Sequence, residues 1–147
     1  MIERYSRKEI AGIWSLENKF RIWLDIEIAA CQAHAKMGTI PEEDLRIIEE
    51  KADFDLDRIE EIESQVHHDV IAFLTSVAEF VGPSSRFIHF GLTSSDIGDT
   101  ALSIQMKQAG TILAQDIRQL MEALRARALA HKNLPCMGRS HGVHAEP

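Results

Sequence analysis

Residues 93–132 read TSSDIGDTALSIQMKQAGTILAQDIRQLMEALRARALAHK, and this stretch decides the fold. Thr93 followed three residues later by Asp96 matches a capping box, so a helix is predicted to begin there. A continuous helix over residues 97–132 would be roughly 54 Å long at 1.5 Å per residue. That length is typical of an elongated helix bundle, often one shared between subunits. Apolar residues recur at helical spacing at Ile97, Ala101, Ile104, Leu113, Ile117, Leu120 and Leu124.

Two helices are predicted before residue 40. Ser6 and Glu9 match a second capping box, and Ser15 is expected to cap a longer helix that stops at Gly38. Cys31 lies in an apolar helical run and is expected in the core, whereas His34 and His131 are interpreted as helix-surface residues. The apolar positions that suit helical spacing include Phe20, Trp23, Leu24, Ile26, Ala30 and Ala33.

Three further helices are predicted between residues 41 and 83. Pro41 suits the first position of a helix, and Asp55 can cap another that ends near Gln65. His67-His68-Asp69 lies at a predicted helix junction before the apolar run 70–81, which Gly82 and Pro83 end. Residues 84–91 show no clear period, and no stretch predicts a sheet. The fold class is therefore all-α.

Composition places the chain among globular proteins of one domain. It has 147 residues, 45% hydrophobic and 27% charged, enough for a real core. No apolar run approaches the ~20 residues of a membrane span, and the N-terminus lacks the apolar stretch of a secretory signal. Two cysteines make no disulfide framework. We therefore expect a cytoplasmic protein with no membrane contact.

The net charge of −7 is concentrated in one segment. Residues 42–63 hold eleven acids and three bases, a net charge of −8, and the rest of the chain carries +1. This acidity indicates a solvated face of short helices and does not exclude an anionic ligand elsewhere. A nucleic-acid groove is not expected, because no basic stripe with interleaved aromatic residues is present.

Five of the seven histidines fall in three short polar segments: residues 67–68, residue 89, and residues 141 and 144. Arg86 lies near His89 in sequence and Arg139 near His141, and both are candidate anion binders. The helix start at Thr93 and Ser94 adds hydroxyls and free backbone N–H groups. Together these segments suggest a pocket for a polyanionic small molecule with imidazole acid–base chemistry beside it.

The segment from Met137 to Pro147 reads MGRSHGVHAEP and predicts a shaped loop. Gly138 and Gly142 permit backbone angles that other residues resist. The loop presents His141, whose imidazole can move a proton near neutral pH. A polar surface loop without chemistry is the simpler interpretation of this segment taken alone.

Simpler interpretations exist for the other segments too. Residues 67–69 and 93–96 could serve only as helix caps, and His89 alone could be a packed residue. The spacing of His141 and His144 invites a zinc site, but no further ligand is spaced to complete one. Adjacent Ser140 and His141 cannot easily form the hydrogen bond of a serine hydrolase. We predict no metal and no cofactor.

Two segments carry a resemblance to a known family. GLTSSDIGDTA (residues 91–101) and the 137–147 segment resemble motif regions of the adenylosuccinate lyases of the fumarase/aspartase superfamily. ERYSR (residues 3–7) and HDV (68–70) fit the same family in the same order, so the resemblance covers the whole chain. GVHAE after His141 favours this branch over argininosuccinate lyases and fumarases.

The resemblance implies a reaction and site residues. The family cleaves adenylosuccinate to AMP and fumarate, and releases fumarate from succinylated carboxamide ribotide in purine biosynthesis. His141 matches the histidine that exchanges a proton with the leaving nitrogen, and His68 lies close to the reacting centre in the matching segment. The implied substrate contacts are Arg4, Tyr5, His67, His68 and Asp69 to nucleotide and substrate, His89 near the phosphate, and Thr93 and Ser94 to a carboxylate of the succinyl group.

The resemblance also implies an assembly. The family is mostly helical and forms homotetramers around a central helix bundle, with each active site built from three subunits. Residues 1–92 would form an N-terminal helical domain and residues 93–147 the start of the bundle domain. The family's third motif, a mobile serine loop that supplies the general base, is expected beyond residue 147. We therefore expect a fragment without lyase activity of its own.

Two positions depart from the family's pattern. Ser140 replaces the usual threonine before the catalytic histidine and keeps the hydroxyl, so little effect is expected. His67 stands where arginine is common, which puts phosphate binding there in doubt. A non-catalytic helical module that binds nucleotide or serves in assembly is the alternative function, and a zinc-binding module is a third.

Overall fold

The computed structural model describes residues 2–146, apart from the side chain of Glu3, and divides at Ala109/Gly110 into two compact units. Met1 and Pro147, the last residue of the closing motif, lie outside the described residues. Short 3-10 helices cover Glu3–Tyr5 and Gly82–Phe87. The all-α prediction is confirmed. The helices are α1 Lys8–Ile13, α2 Leu16–Lys36, α3 Glu42–Lys51, α4 Leu56–Val66, α5 Asp69–Val81 and α6 Ser94–His131, and the strands are β1 Arg139–Ser140 and β2 Val143–His144.

Three helix starts follow the predicted capping residues. The Ser15 hydroxyl accepts a hydrogen bond from the Asn18 N–H at 3.1 Å, and α2 follows as far as Lys36. The Asp55 carboxylate accepts from the Arg58 N–H at 2.9 Å and begins α4. At α6, Asp96 accepts from the Thr93 N–H at 2.8 Å. Each oxygen satisfies an N–H group that has no partner within the helix.

Replacing Asp55 with alanine is expected to lower the free energy of unfolding by about 1 kcal/mol, the usual worth of an N-cap. Asparagine keeps an oxygen in the same place, so Asp55→Asn should lose only a small part of that. Urea unfolding of the two variants measures the difference. Equal losses in both would show that the cap contributes through its charge and not through this hydrogen bond.

The capping box predicted at Ser6 is wrong. The Ser6 hydroxyl donates to the carbonyl oxygen of Ile2 at 2.9 Å, and α1 begins later, at Lys8. Arg7 precedes α1 without capping it through its side chain. The 3-10 turn at Glu3–Tyr5 brings the Ile2 carbonyl within reach of Ser6, so the hydroxyl closes that turn instead.

The core of the first unit is an aromatic cluster surrounded by aliphatic side chains. Phe73 of α5 stacks on Phe20 of α2, with ring centroids 5.5 Å apart and planes 8° from parallel. Trp23 meets Phe73 edge-on at 5.5 Å, and Phe54 lies 6.1 Å away. The prediction that the α2 aromatic residues and Cys31 are buried is confirmed. This cluster packs α2 against α5 and fixes the segments between them.

Helix α6 is attached to the same unit through a polar contact. Gln105, buried in α6, donates to the carbonyl oxygen of Ile13 at 2.7 Å, and Asn18 donates to the same oxygen at 2.8 Å. Asn18 also donates to Gln108 at 3.1 Å. The carbonyl at the end of α1 therefore fixes the junction of α1 and α2 against the first part of α6.

The second unit contains the rest of α6 and the two strands. The predicted long helix is confirmed, since its 38 residues correspond to about 57 Å. Most of its apolar side chains after Gly110 are exposed, among them Leu113, Ile117, Leu120 and Leu124. Among the described helices, none is both long and apolar enough to cross a membrane.

Candidate functional site

The closing segment forms a β-hairpin with His141 in its two-residue turn. Arg139 pairs with His144 and Ser140 with Val143, so His141 and Gly142 make the connection. Their φ angles are 50° and 77°, the signs that a type I′ turn requires at both central positions. The predicted loop is therefore correct for His141, but the prediction of no strand is wrong for its neighbours. Two glycines and a tight turn favour a hairpin here.

Gly138 closes the base of this hairpin. Its N–H donates to the carbonyl oxygen of Glu146 at 3.0 Å, and Ala145 donates back to Gly138 at 2.8 Å. A Cβ at position 138 would lie 2.7 Å from the Glu146 oxygen. Only glycine permits this approach of two backbone segments, so Gly138 holds the turn that presents His141.

His67 and His68 form the predicted junction between α4 and α5. His67 ends α4 in the left-handed region with φ 53°, and its N–H donates to Glu63 at 2.8 Å. His68 Nδ1 accepts from the Ile71 N–H at 3.4 Å, and this long hydrogen bond caps α5 weakly. Since Nδ1 accepts, the proton of a neutral His68 ring lies on Nε2. Both rings are exposed.

Asp69 begins α5 and is paired with a lysine of α2. One carboxylate oxygen accepts from the Val70 N–H at 2.8 Å, and the other lies 3.6 Å from Lys19 Nζ. Lys19 also lies over the ring of Trp23, 4.4 Å from its centroid. Asp69 and Lys19 line an open groove that also contains Glu63. The lysine therefore balances Asp69 at this position.

His89 is bound to a buried acid that the sequence prediction did not single out. Glu27 of α2 accepts the His89 backbone N–H at 2.8 Å through one oxygen, and its other oxygen lies 2.7 Å from His89 Nδ1. The Glu27 side chain is 1% exposed and that of His89 is 20% exposed. His89 has φ 67°, again left-handed. The carboxylate thus holds both the backbone and the ring of His89.

Burial raises the pKa of the Glu27 carboxyl above its ordinary 4.5, although the hydrogen bonds and charge of His89 act in the opposite direction. A raised pKa in the folded state means that stability is fully present below pH 4.5 and is lost as the pH rises through the raised value. Relative to Glu27→Gln, the wild-type chain should therefore lose stability as the pH rises above 4.5, by about 1.4 kcal/mol for each unit of the shift. Urea unfolding of both chains at a series of pH values above 4.5 tests this prediction. A free energy of unfolding that rises with pH in the wild type relative to Glu27→Gln would contradict it.

Two other residues of α2 contact residues 87–91, the connector that contains His89. The Cys31 thiol lies 3.7 Å from the Phe87 carbonyl oxygen, and burial, with a smaller effect of the Glu27 charge, raises its pKa to about 11. His34 Nε2 lies 3.1 Å from the Phe90 carbonyl oxygen, and its ring packs edge-on against Phe90 at 5.3 Å. His34 is half-buried, so its interpretation as a helix-surface residue is correct only in part: the connector packs against one side of its ring.

Thr93 and Ser94 stand at the start of α6, as predicted. The Thr93 N–H is taken by Asp96, so this donor is already paired within the chain. Thr93 is exposed and Ser94 is half-buried. The first turn of α6 has N–H groups that lack helical partners, and such a helix start favours an anionic group.

The predicted cations lie at the surface. Arg4 stacks over the ring of Tyr5 at 4.7 Å, and both side chains are exposed. Arg86 lies 3.6 Å from Asp44 and over the ring of Phe87 at 4.5 Å. Because Asp44 balances its charge, Arg86 is a weaker anion binder than its place in the sequence suggests.

A shared backbone feature joins three of the singled-out histidines. Within residues 2–146, the non-glycine residues with positive φ are His67, His89 and His141. This region is uncommon for non-glycine residues, although histidine is enriched there, and it costs about 1–3 kcal/mol. Such strain clusters at functional sites. In the described chain, no hydrogen bond or ion pair joins residues 67–69 to His89 or to Thr93 and Ser94.

Comparison with known proteins identifies the family. A family model described as lyase matches residues 3–147. The chain belongs to this lyase family. Its lyase fold is also found in the solved structure of 3-carboxy-cis,cis-muconate lactonizing enzyme from Pseudomonas putida, with a TM-score of 0.85 and 25% identity over 96% of this chain and 34% of that one.

Relatives with about half of their matched residues identical to this chain are adenylosuccinate lyases. That of Bacillus subtilis (strain 168) is 50% identical over 147 residues, and that of Streptococcus mutans is 52% identical. Each match covers 100% of this chain and 34% of the relative. The lyase chain therefore spans about a third of the length of these relatives, and the resemblance seen in its motifs is confirmed.

Glu27 is the residue of this lyase chain that sequence reasoning missed. It lies on the buried face of α2, four residues after Trp23 and four before Cys31. An acid on an apolar stripe at helical spacing needs a partner when it is buried. That signal was present in the sequence, but the partner, His89, lies 62 residues away.

Proposed function

We propose that this chain is the N-terminal part of an adenylosuccinate lyase, which releases fumarate from adenylosuccinate to give AMP, and from the succinylated aminoimidazole carboxamide ribotide of purine biosynthesis. The observation that carries the proposal is the strained backbone at His67, His89 and His141. It occurs in a chain about half identical to enzymes of that name. Strain of this kind is retained where the surrounding structure supports a function.

The proposed chemistry is a β-elimination: a general base supplied by the rest of the enzyme takes the Cβ proton, the C–N bond breaks as the C=C bond of fumarate forms, and His141 protonates the leaving nitrogen. The turn exposes its imidazole, and an imidazole can donate a proton near neutral pH. His68 lies near the reacting centre in this proposal. The start of α6, with the hydroxyls of Thr93 and Ser94, binds a carboxylate of the succinyl group, because hydroxyls and N–H groups suit a carboxylate there.

Nucleotide binding is assigned to the remaining predicted residues. Arg4 and Tyr5 form an exposed cation and ring pair that can contact a base or phosphate. His67 and Asp69 flank His68, and His89 lies near the phosphate in the proposal. The reaction as proposed needs no cofactor and no metal.

The exposed face of α6 supports a proposed assembly. After Gly110 most apolar side chains of α6 are exposed, and contiguous exposed apolar surface marks an interaction site. We assign this face to the central bundle of a cytoplasmic homotetramer. In the same proposal residues 1–92 form the N-terminal domain and residues 93–147 begin the bundle domain.

A chimera tests the proposed function. This chain replaces the matching segment of the Bacillus subtilis relative, and fumarate release from adenylosuccinate is followed by ultraviolet absorbance. We expect activity well above background. A chimera that folds and forms tetramers but releases no fumarate would instead favour a non-catalytic assembly segment, and AMP titration followed by tryptophan fluorescence would then test nucleotide binding.

A further inference from the structure

Glu27 is the one charged side chain that is fully buried in the described part of the chain. An ionised carboxylate in such a place is unfavourable unless it is paired and hydrogen-bonded. Both of its oxygens are used by a single residue, His89, through the backbone N–H at 2.8 Å and the ring at 2.7 Å. Glu27 therefore acts on the conformation of one histidine, holding its backbone and its ring together.

The proton between Glu27 and His89 has two possible positions. Either the ring carries it on Nδ1 and donates to an ionised carboxylate, or a neutral carboxyl donates to Nδ1. An imidazole nitrogen is ordinarily a stronger base than a carboxylate. The first arrangement also makes both hydrogen bonds to Glu27 charge-assisted. The ionised carboxylate with protonated Nδ1 is therefore favoured.

We propose that Glu27 is a positioning residue that fixes the His89 ring with Nδ1 protonated, so that Nε2, once it carries a proton, donates to an anionic oxygen of a ligand. In residues 2–146, Nε2 of His89 has no hydrogen-bond partner in the protein, and the ring is partly exposed. The carboxylate behind the ring stabilises the imidazolium that forms when Nε2 takes a proton. The assignment of the ligand oxygen to a phosphate or a carboxylate rests on the proposed function, whereas the orientation of the ring does not.

Nitrogen NMR of the full 147-residue chain, labelled at histidine, tests the orientation directly. The His89 signals are assigned by their loss in His89→Gln. At a pH about two units above the ordinary imidazole value of ~6.5, we expect Nδ1 to carry the proton in the wild type. A ring protonated mainly on Nε2 would overturn the proposal, and this measurement needs no substitution at Glu27.

Substitution of Glu27 tests whether its carboxylate sets which nitrogen of the His89 ring carries the proton. Glu27→Gln keeps the size of the side chain and removes the charge, and should shift the His89 ring towards the Nε2-protonated form. Glu17→Gln is the matched control, because it makes the same change on the exposed face of α2, where Glu17 contacts Arg21 and not His89. An unchanged His89 signal in a folded Glu27→Gln chain would overturn the role of Glu27.

Titration with inorganic phosphate and with succinate tests whether His89 binds an anion and which kind of anion it binds. At a pH near 6.5 we expect one or both anions to move the His89 signals, with affinity at least about tenfold weaker in Glu27→Gln, the effect of losing a charge-assisted contact. A response to phosphate alone assigns the site to the nucleotide end, and a response to succinate alone to the succinyl end. If neither anion moves His89, or Glu27→Gln binds as tightly, anion binding at Nε2 is wrong.

Failure of this inference and failure of the proposed function are distinguishable. An inactive chimera with His89 still protonated on Nδ1 would reject the lyase assignment and leave the positioning role intact. An active chimera in which Glu27→Gln leaves the His89 ring signals unchanged would support the lyase assignment and reject the positioning role.

Discussion

His141→Ala in the chimera is expected to lower kcat by about 10²-fold or more, the usual contribution of a positioned acid or base. The methyl group cannot protonate the leaving nitrogen, while the substrate contacts assigned to other residues remain. KM should therefore change less than kcat. Steady-state rates of fumarate release measure both constants.

Two further variants separate chemistry from backbone strain. Asparagine tolerates the left-handed region, so His141→Asn should keep the turn at φ 50° and still lose the activity. His144→Ala changes the other histidine of the hairpin, which pairs with Arg139 in the ladder, and should have a much smaller effect on kcat. A near-normal rate in His141→Asn would remove His141 from the mechanism.

Phe73→Ala is expected to lower the free energy of unfolding by about 3–5 kcal/mol. The Phe73 side chain is 0% exposed, and its ring contacts Phe20, Trp23 and Phe54. Alanine leaves a cavity between α2 and α5 that these large rings cannot easily fill. Urea unfolding followed by circular dichroism and by fluorescence of the buried Trp23 measures the loss.

Phe80→Ala is the matched control for this prediction. Phe80 lies two turns further along α5 and is 45% exposed, so its truncation removes little buried area and should cost less than about 1 kcal/mol. Equal losses at positions 73 and 80 would mean that the aromatic cluster does not hold the core together.

Local features of the fold were predictable because their causes lie within a few residues. Ser15 and Asp55 accept from N–H groups three residues later, and such caps are encoded in four consecutive residues. The length of α6 follows from apolar spacing without an intervening proline. The positions of His67 and His141 at chain turns were also predictable, since each stands at the end of a recognisable segment.

Contacts that depend on which of several partners the folded chain brings near were not predictable in the same way. Ser6 matches a capping box, yet its hydroxyl binds Ile2 because a 3-10 turn places that carbonyl nearer. The sequence predicts a surface position for His34, and only the folded chain shows that the 87–91 connector contacts its ring. Neither outcome is set by spacing alone, because each depends on which of several partners the folded chain brings within about 3 Å.

The sequence by itself determined the helical class, the segments that carry the histidines and the family, since periodicity, caps and motifs are properties of short stretches of chain. Only the tertiary structure decided what holds His89. Glu27 and His89 are 62 residues apart, and a buried carboxylate selects its partner by desolvation, which exists only once α2 and the connector have packed together.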